Sequence, residues 1–229
     1  MSGAATFFGV GRLGEADQED LVRAVAAAGV RDPRVLQALR EVPRAGFVPP
    51  ALVPQAYLDR PLPIPHGQVT TQPSLVAAML EAVAVAGCER VLEVGTGYGF
   101  QTALLAWLVG PTGFVWSVER WPDIAATARE SLARAGIGNV EVVAGDGTEG
   151  LPERAPFDAI VVAAAFPEVP PPLAAQLAPG GRLVQPIGPG GDEDVALFEH
   201  GPRGLVCRRT VIRAHFVRLY GRHGFLGGE

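Results

Sequence analysis

The sequence predicts an α/β protein, a doubly wound and mostly parallel sheet with an antiparallel C-terminal edge and an N-terminal helical arm. Three observations predict it. From residue 90 onward, short apolar runs alternate with helical patterns, as strands covered on both faces of a parallel sheet require. A glycine-rich turn, Gly95-Thr96-Gly97-Tyr98-Gly99, directly follows the first of those runs. The last segments alternate apolar and polar residues with no helix between them, which marks antiparallel strands.

The elements follow in order. Leu21, Val22, Val25 and Ala28 form one stripe after Ala16-Asp17, and Gly29 closes that helix. A second short helix runs from Asp32-Pro33 through Val35, Leu36 and Leu39 to Pro43. Next comes VPRAGFVPPALVPQAYLDRPLPIPHGQVTTQP, whose prolines forbid a long helix or a central strand. It reads as a loop-rich arm with one short helical turn after Pro50, and so long an irregular connection is commonly functional. Thr71 is the expected N-cap of the following helix, Pro73 fits its first turn, and Leu75, Val76, Met79, Leu80 and Val83 form its buried stripe.

Beyond it, RVLEV is followed by a helix through Leu104 and Leu105, and FVWSV by a helix from Pro122 through Leu132. VEVVA and AIVVA come next, then a helix through Leu173 and Leu177, then RLVQPI. VALFE and LVCRRTVIRAHFVRL complete the antiparallel edge. We expect one domain over residues 1–229: helices and arm over 1–70, then the α/β core over 71–229 with a C-terminal β-hairpin.

Composition narrows the function classes. A formal charge of -5 argues against holding nucleic acid by neutralising phosphates. No apolar run is long enough to span a bilayer, so neither a nucleic-acid nor a membrane partner is expected. The opening MSGAATFFGV has no basic start and no long apolar stretch, so no secretory signal is expected. Cys88 and Cys207 lie far apart without a disulfide framework, which sets the expectation of a cytoplasmic chain with two reduced thiols.

The glycine turn carries the chemistry. In an open α/β sheet, ligands bind beyond the carboxyl ends of the strands at the switch point. A dinucleotide site wants G-x-G-x-x-G with pyrophosphate on the helix N-terminus. Here the third glycine comes one position early and Phe100 stands in the expected place. Glu93 precedes the turn, where a carboxylate repels phosphate but suits a cation. S-adenosyl-L-methionine has a sulfonium and an ammonium but no phosphate, so charge favours this methyl donor. Glu119 closes the next strand, where a carboxylate accepts from ribose hydroxyls, and Asp146 with the amide of Gly147 follows the third, beside an adenine edge. No G-x-S-x-G elbow, metal-ligand spacing or triad is evident, and no metal is expected.

Taken with the arm, these motifs give a resemblance. RDPRVLQALREVPRAGFVPP, AYLDRPLPIPHGQVTTQP, VLEVGTGYGFQTALLA, GDGTEGLPERAPFDAIVVAAAFPEVP and LAPGGRLVQPIG resemble the protein-L-isoaspartate O-methyltransferases over nearly the whole chain. The resemblance implies a seven-stranded sheet, S-adenosyl-L-methionine as donor, and as acceptor the free α-carboxylate of an L-isoaspartyl residue in a damaged protein or peptide. It implies that Thr71, standing where the family has a serine, positions the acceptor carboxylate and is the catalytic residue. Gln68, Val69 and Thr70 would help cover the donor, with Gly95, Thr96, Gly97, Arg120 and Gly147 completing its site. Position in the chain adds His66, beside Gly67 in the same loop, as a residue lining the acceptor pocket, and His215, Phe216 and Val217, on a late strand, as residues flanking the acceptor peptide. Two further departures are Ala163 for a usual threonine and Arg218 for the proline of an F-V-P-L pattern.

Other readings stay open at this point. An enzyme methylating exocyclic amines of nucleic acid would carry an N/D-P-P-Y segment where this chain has AAAFPEVP, and a cytosine C5 enzyme would need a cysteine there. A relative that methylates an aspartate in a dedicated peptide precursor, giving a succinimide, shares the motifs. A scaffold that kept the fold without catalysis would not need to retain Glu93, Gly95, Gly97, Glu119 and Asp146.

Overall fold

The computed structural model describes residues 16–227, so the N-terminal segment read for a signal lies outside it. Helix α1 (Gln18–Ala27) starts on a capping box: Asp17 accepts from the Asp20 amide, and the Asp20 carboxylate accepts from the Asp17 amide. Helix α2 (Pro33–Glu41) starts on Asp32, which accepts from the Arg34 amide, with Pro33 in the first turn. Their buried residues Leu21, Val25, Val35 and Leu39 join one apolar cluster with α3 (Pro73–Val83) and α4 (Phe100–Val109).

The arm between them is irregular, as its prolines dictate. It holds 3-10 turns at Arg44–Phe47 and Pro50–Gln55 and a small hairpin, β1 (Leu62–Pro63) against β2 (Val69–Thr70). The helical turn after Pro50 is present. Thr71 is not the N-cap of α3: Gln72 holds that position without a side-chain bond. Asp59 of the arm supplies what a cap would, accepting from the Ser74 amide at 2.8 Å.

Seven strands form the main sheet: β3 (Arg90–Val94), β4 (Phe114–Glu119), β5 (Val140–Ala144), β6 (Phe157–Val162), β7 (Leu177–Ile187), β8 (Glu193–Gly201) and β9 (Gly204–Ala214). Their order is β5-β4-β3-β6-β7-β8-β9. The first five positions pair in parallel and the last two additions are antiparallel. Helices α4, α5 (Pro122–Arg134) and α6 (Pro171–Ala175) connect the parallel strands. Alternation along β3 sends Val91 to the cluster under α1–α4 and Leu92 to the cluster holding Trp116, Ile160 and Leu183. Strand order reverses between β3 and β6, which opens the crevice beyond Val94 and Val162.

Two further expectations need correction. The helix expected through Leu173 and Leu177 ends at Ala175, because Leu177 already pairs with Phe157 and opens β7, whose register then shifts before Arg182. His215, Phe216 and Val217 are not on a strand, since β9 stops at Ala214. The chain instead turns back across the carboxyl end of β6, where Arg218 bridges Ala165.

Candidate functional site

The turn after β3 lies at the reversal point. Gly95 adopts φ +95°, a conformation that L side chains avoid, and a Cβ there would lie 3.3 Å from that of Ala163. Gly147, after β5, meets Val94 so closely that a Cβ would stand 2.4 Å from its Cγ1. These contacts bring backbone, not side chains, to the edge of a cleft of about 960 Å³ including its open mouth.

Glu119, at the tip of β4, lines the cleft and is only 6% exposed. Its carboxylate accepts from the amides of Gly97 at 2.9 Å and Trp121 at 3.1 Å, joining the glycine turn to the end of β4. Burial raises its pKa above the ordinary carboxylate value, against the pull of those amides. Each oxygen keeps acceptor capacity for a ligand hydroxyl.

The arm forms the opposite wall with Ile64, Gln68, Val69, Thr70 and Thr71. Thr71 is half-buried, and among the described residues nothing bonds its hydroxyl. Arg44 holds this wall from behind. Fully buried, it donates to the carbonyls of Ala56, Leu58, Arg60 and Thr71 and to the Thr70 hydroxyl. Desolvation lowers its pKa to about 10, so it stays charged at neutral pH.

The third wall is the returning C-terminal segment, Val217 to Tyr220. Ala165 donates to the Val217 carbonyl and Leu219 to that of Ala165, both at 2.8 Å. Both covers meet beside Glu119. His66 stacks on Trp121 with ring centroids 3.9 Å apart and bonds the Asp123 carboxylate at 2.9 and 3.0 Å. The Arg120 guanidinium lies 4.9 Å from the Trp121 ring and 5.1 Å from the Tyr220 ring. Among the described residues, no group of three or more His, Cys, Asp or Glu side chains is arranged to hold a metal.

Comparison with known proteins agrees with this architecture. The family model for protein-L-isoaspartate (D-aspartate) O-methyltransferase matches residues 16–224. The chain belongs to that family. A protein-L-isoaspartate O-methyltransferase of Methanoculleus marisnigri is 49% identical over 219 residues, covering 92% of this chain and 94% of the relative. Its counterpart in Anaeromyxobacter dehalogenans is 54% identical over 193 residues, 83% of this chain and 91% of the relative. A solved protein-L-isoaspartate O-methyltransferase superposes with a TM-score of 0.80 at 33% identity, covering 91% of this chain and 67% of that one. A Plasmodium falciparum structure in complex with S-adenosyl-L-homocysteine shares the fold, with a TM-score of 0.79 at 23% identity over 90% of this chain and 99% of that one.

Within this member of the family, the expected site residues divide. Gln68, Val69, Thr70, Thr71, Gly95, Thr96, Gly97, Glu119, Arg120, Gly147 and Val217 all line the one cleft. Glu93 does not. It is one residue short of the strand tip, so its side chain points into the sheet face and is fully buried. Ser117 and Thr102 hydroxyls donate to it at 2.5 Å and Gln101 at 3.0 Å, while Thr96 Oγ1 lies 2.5 Å from Ser117 Oγ. Glu93 therefore anchors the turn from beneath instead of meeting a cation. Burial raises its pKa to about 7, against those hydrogen bonds.

Asp146 is not among the residues lining this cleft; it lines a second pocket that shares Arg120 and Tyr220 with it. It accepts from the Thr148 amide and hydroxyl and from the Arg222 amide at 2.7 Å, fixing the C-terminal segment. Phe216 is buried in the core and donates its amide to Glu193. His66 faces Trp121 and Asp123 and does not line the cleft, and His215 bonds the Gly191 carbonyl. The sequence reading missed Arg44 and the part Trp121 plays. Arg44 carried a signal, a lone arginine between Pro43 and the apolar Ala45-Gly46-Phe47 in a family-like arm. Nothing local announced that four carbonyls would converge on it.

Proposed function

We propose that the chain transfers a methyl group from S-adenosyl-L-methionine to the free α-carboxylate of L-isoaspartyl residues in damaged proteins or peptides, initiating their repair. The observation that carries this reading is that the glycine turn with Glu119 and the arm hydroxyl of Thr71 line one cleft. A place for a donor and a place for a carboxylate are thereby adjacent, in a chain of this family.

The lining fits that donor. Glu119 offers acceptors for ribose hydroxyls, the glycines give close backbone approach, and Gly147 with Ile124 and Trp121 flanks space for a flat base. Bound there, the donor supplies a methyl group activated by a sulfonium. At pH 7 an acceptor carboxylate is already ionised, so no general base is needed. The protein's work is alignment and exclusion of water, and such placement contributes roughly 7–11 kcal/mol. Thr71 donates a hydrogen bond that orients the acceptor oxygen without neutralising it. Among the described residues no helix is long and apolar enough to cross a membrane. Two exposed free thiols, Cys88 and Cys207, fit a reducing, cytoplasmic setting.

The test is transfer from labelled S-adenosyl-L-methionine to paired peptides that differ only in isoaspartyl or aspartyl linkage. Base-labile label on the isoaspartyl peptide alone is expected. Label on neither peptide, with donor binding intact, overturns the acceptor assignment.

A further inference from the structure

Arg218 stands where the family pattern has a proline, and it lines the cleft near Ala163, itself smaller than the usual threonine. Its side chain is held at two points. Nε donates to the Pro189 carbonyl at 3.1 Å, and the guanidinium carbon lies 5.1 Å from the centre of the Phe225 ring. Phe225 is itself braced edge-on by Phe166 at 5.1 Å. The stem presses on Gly190, where a Cβ would come within 2.7 Å of Arg218 Cγ. These contacts orient the planar group, yet among the described residues its two terminal nitrogens bond nothing, and no carboxylate pairs with it.

The surroundings sharpen the reading. Among the described residues that line the cleft Glu119 is the sole acid, and it is buried on backbone amides. Arg120 and Arg218 are the lining cations. An oriented guanidinium with two free donor nitrogens matches a carboxylate by a pair of parallel hydrogen bonds. That carboxylate is not the one being methylated: clamping both of its oxygens would quench the nucleophile, and the neutral Thr71 hydroxyl suits it better.

We propose that Arg218 is a specificity-determining residue that binds an acidic side chain next to the isoaspartyl residue, so that this enzyme favours damage sites in acidic sequence. The inference rests on the acceptor assignment made above. For an exposed pair the expected preference is about two- to fivefold in KM, shrinking as salt is raised.

The experiment uses C-terminally amidated isoaspartyl peptides with Glu or Gln immediately before, or immediately after, the isoaspartyl residue. Amidation removes a free terminus as a second source of carboxylate. The KM of the Glu peptide is expected to be lower than that of its Gln twin. That ratio should fall to one in Arg218→Gln and be partly kept in Arg218→Lys. Equal KM values for the twins in the unaltered enzyme, or a ratio that survives Arg218→Gln, overturn the inference and leave the acceptor assignment standing. No transfer to any of the peptides sinks the acceptor assignment, and the inference with it.

Discussion

Arg44 donates a 2.9 Å hydrogen bond to the Thr70 hydroxyl from a wholly buried position, one residue away from Thr71, which lines the cleft. The same guanidinium also gathers carbonyls from Ala56, Leu58 and Arg60. An irregular, proline-rich arm has no ladder of its own to satisfy those carbonyls, so the buried cation substitutes for one.

Replacing Arg44 should therefore dismantle the arm. Arg44→Met leaves several buried acceptors without donors and is expected to destabilise the fold by about 3–5 kcal/mol in denaturant titration. Arg44→Lys should not restore it, because one ammonium cannot reach acceptors spread across the fork. Near-normal stability in the Met variant would show that the arm is held by its apolar contacts instead.

Thr71→Ala removes a hydroxyl that bonds nothing in the protein itself, so stability should barely change. Turnover on isoaspartyl peptides should drop by roughly ten- to hundredfold, the worth of a hydrogen bond to a charged group. Donor affinity, measured by calorimetry, should stay where it was. Thr71→Ser should retain most of the rate, and unchanged turnover in the alanine variant would remove the residue from the mechanism.

Glu93 predicts an unusual pH dependence. Its carboxyl ordinarily titrates at 4.5 but at about 7 when buried here. Between those values the folded state holds a proton that the unfolded state has released, so this group's contribution to stability falls as pH rises from 4.5 to 7 and is level above. Glu93→Gln should gain stability relative to the parent across that window. Parallel stability curves for the two proteins would mean that Glu93 is ionised throughout.

The His66 and Asp123 contact holds the tip of the arm, and Asp123 is kept below its usual carboxylate range mainly by the hydrogen bond from His66. His66→Ala removes that bond and the ring stack on Trp121 together. Donor dissociation, followed by stopped flow, should quicken roughly three- to tenfold. An unaltered rate would mean that the arm tip does not cover the donor.

The sequence shows the sheet and its glycine turn because parallel strands and their turns are local, periodic signals. It shows the acids at strand ends less well. Glu93 and Glu119 look alike in one dimension, but Glu93 lies one residue before the tip of β3 and follows strand alternation into the interior, whereas Glu119 is the last residue of β4. The anchoring part played by Asp146 is hidden for another reason. Its partner, the Arg222 amide, is 76 residues away, and no local pattern records a contact made by the returning C-terminal segment. Arg44 belongs to the same class, as a long-range contact invisible to periodicity.

Both covers of the cleft rest on one short stretch of chain. The arm docks through His66 on Trp121, the C-terminal segment through Tyr220 on Arg120, and Glu119 immediately precedes both. A molecule that settles against Glu119 thus acts on the footing of two flaps at once. By thermodynamic reciprocity, a peptide that draws either flap inward must raise the affinity for that molecule by the same factor with which it is itself held more tightly. A flap drawn in this way would couple the two substrates through the shared footing, and losing the peptide would loosen the grip on the spent molecule left behind.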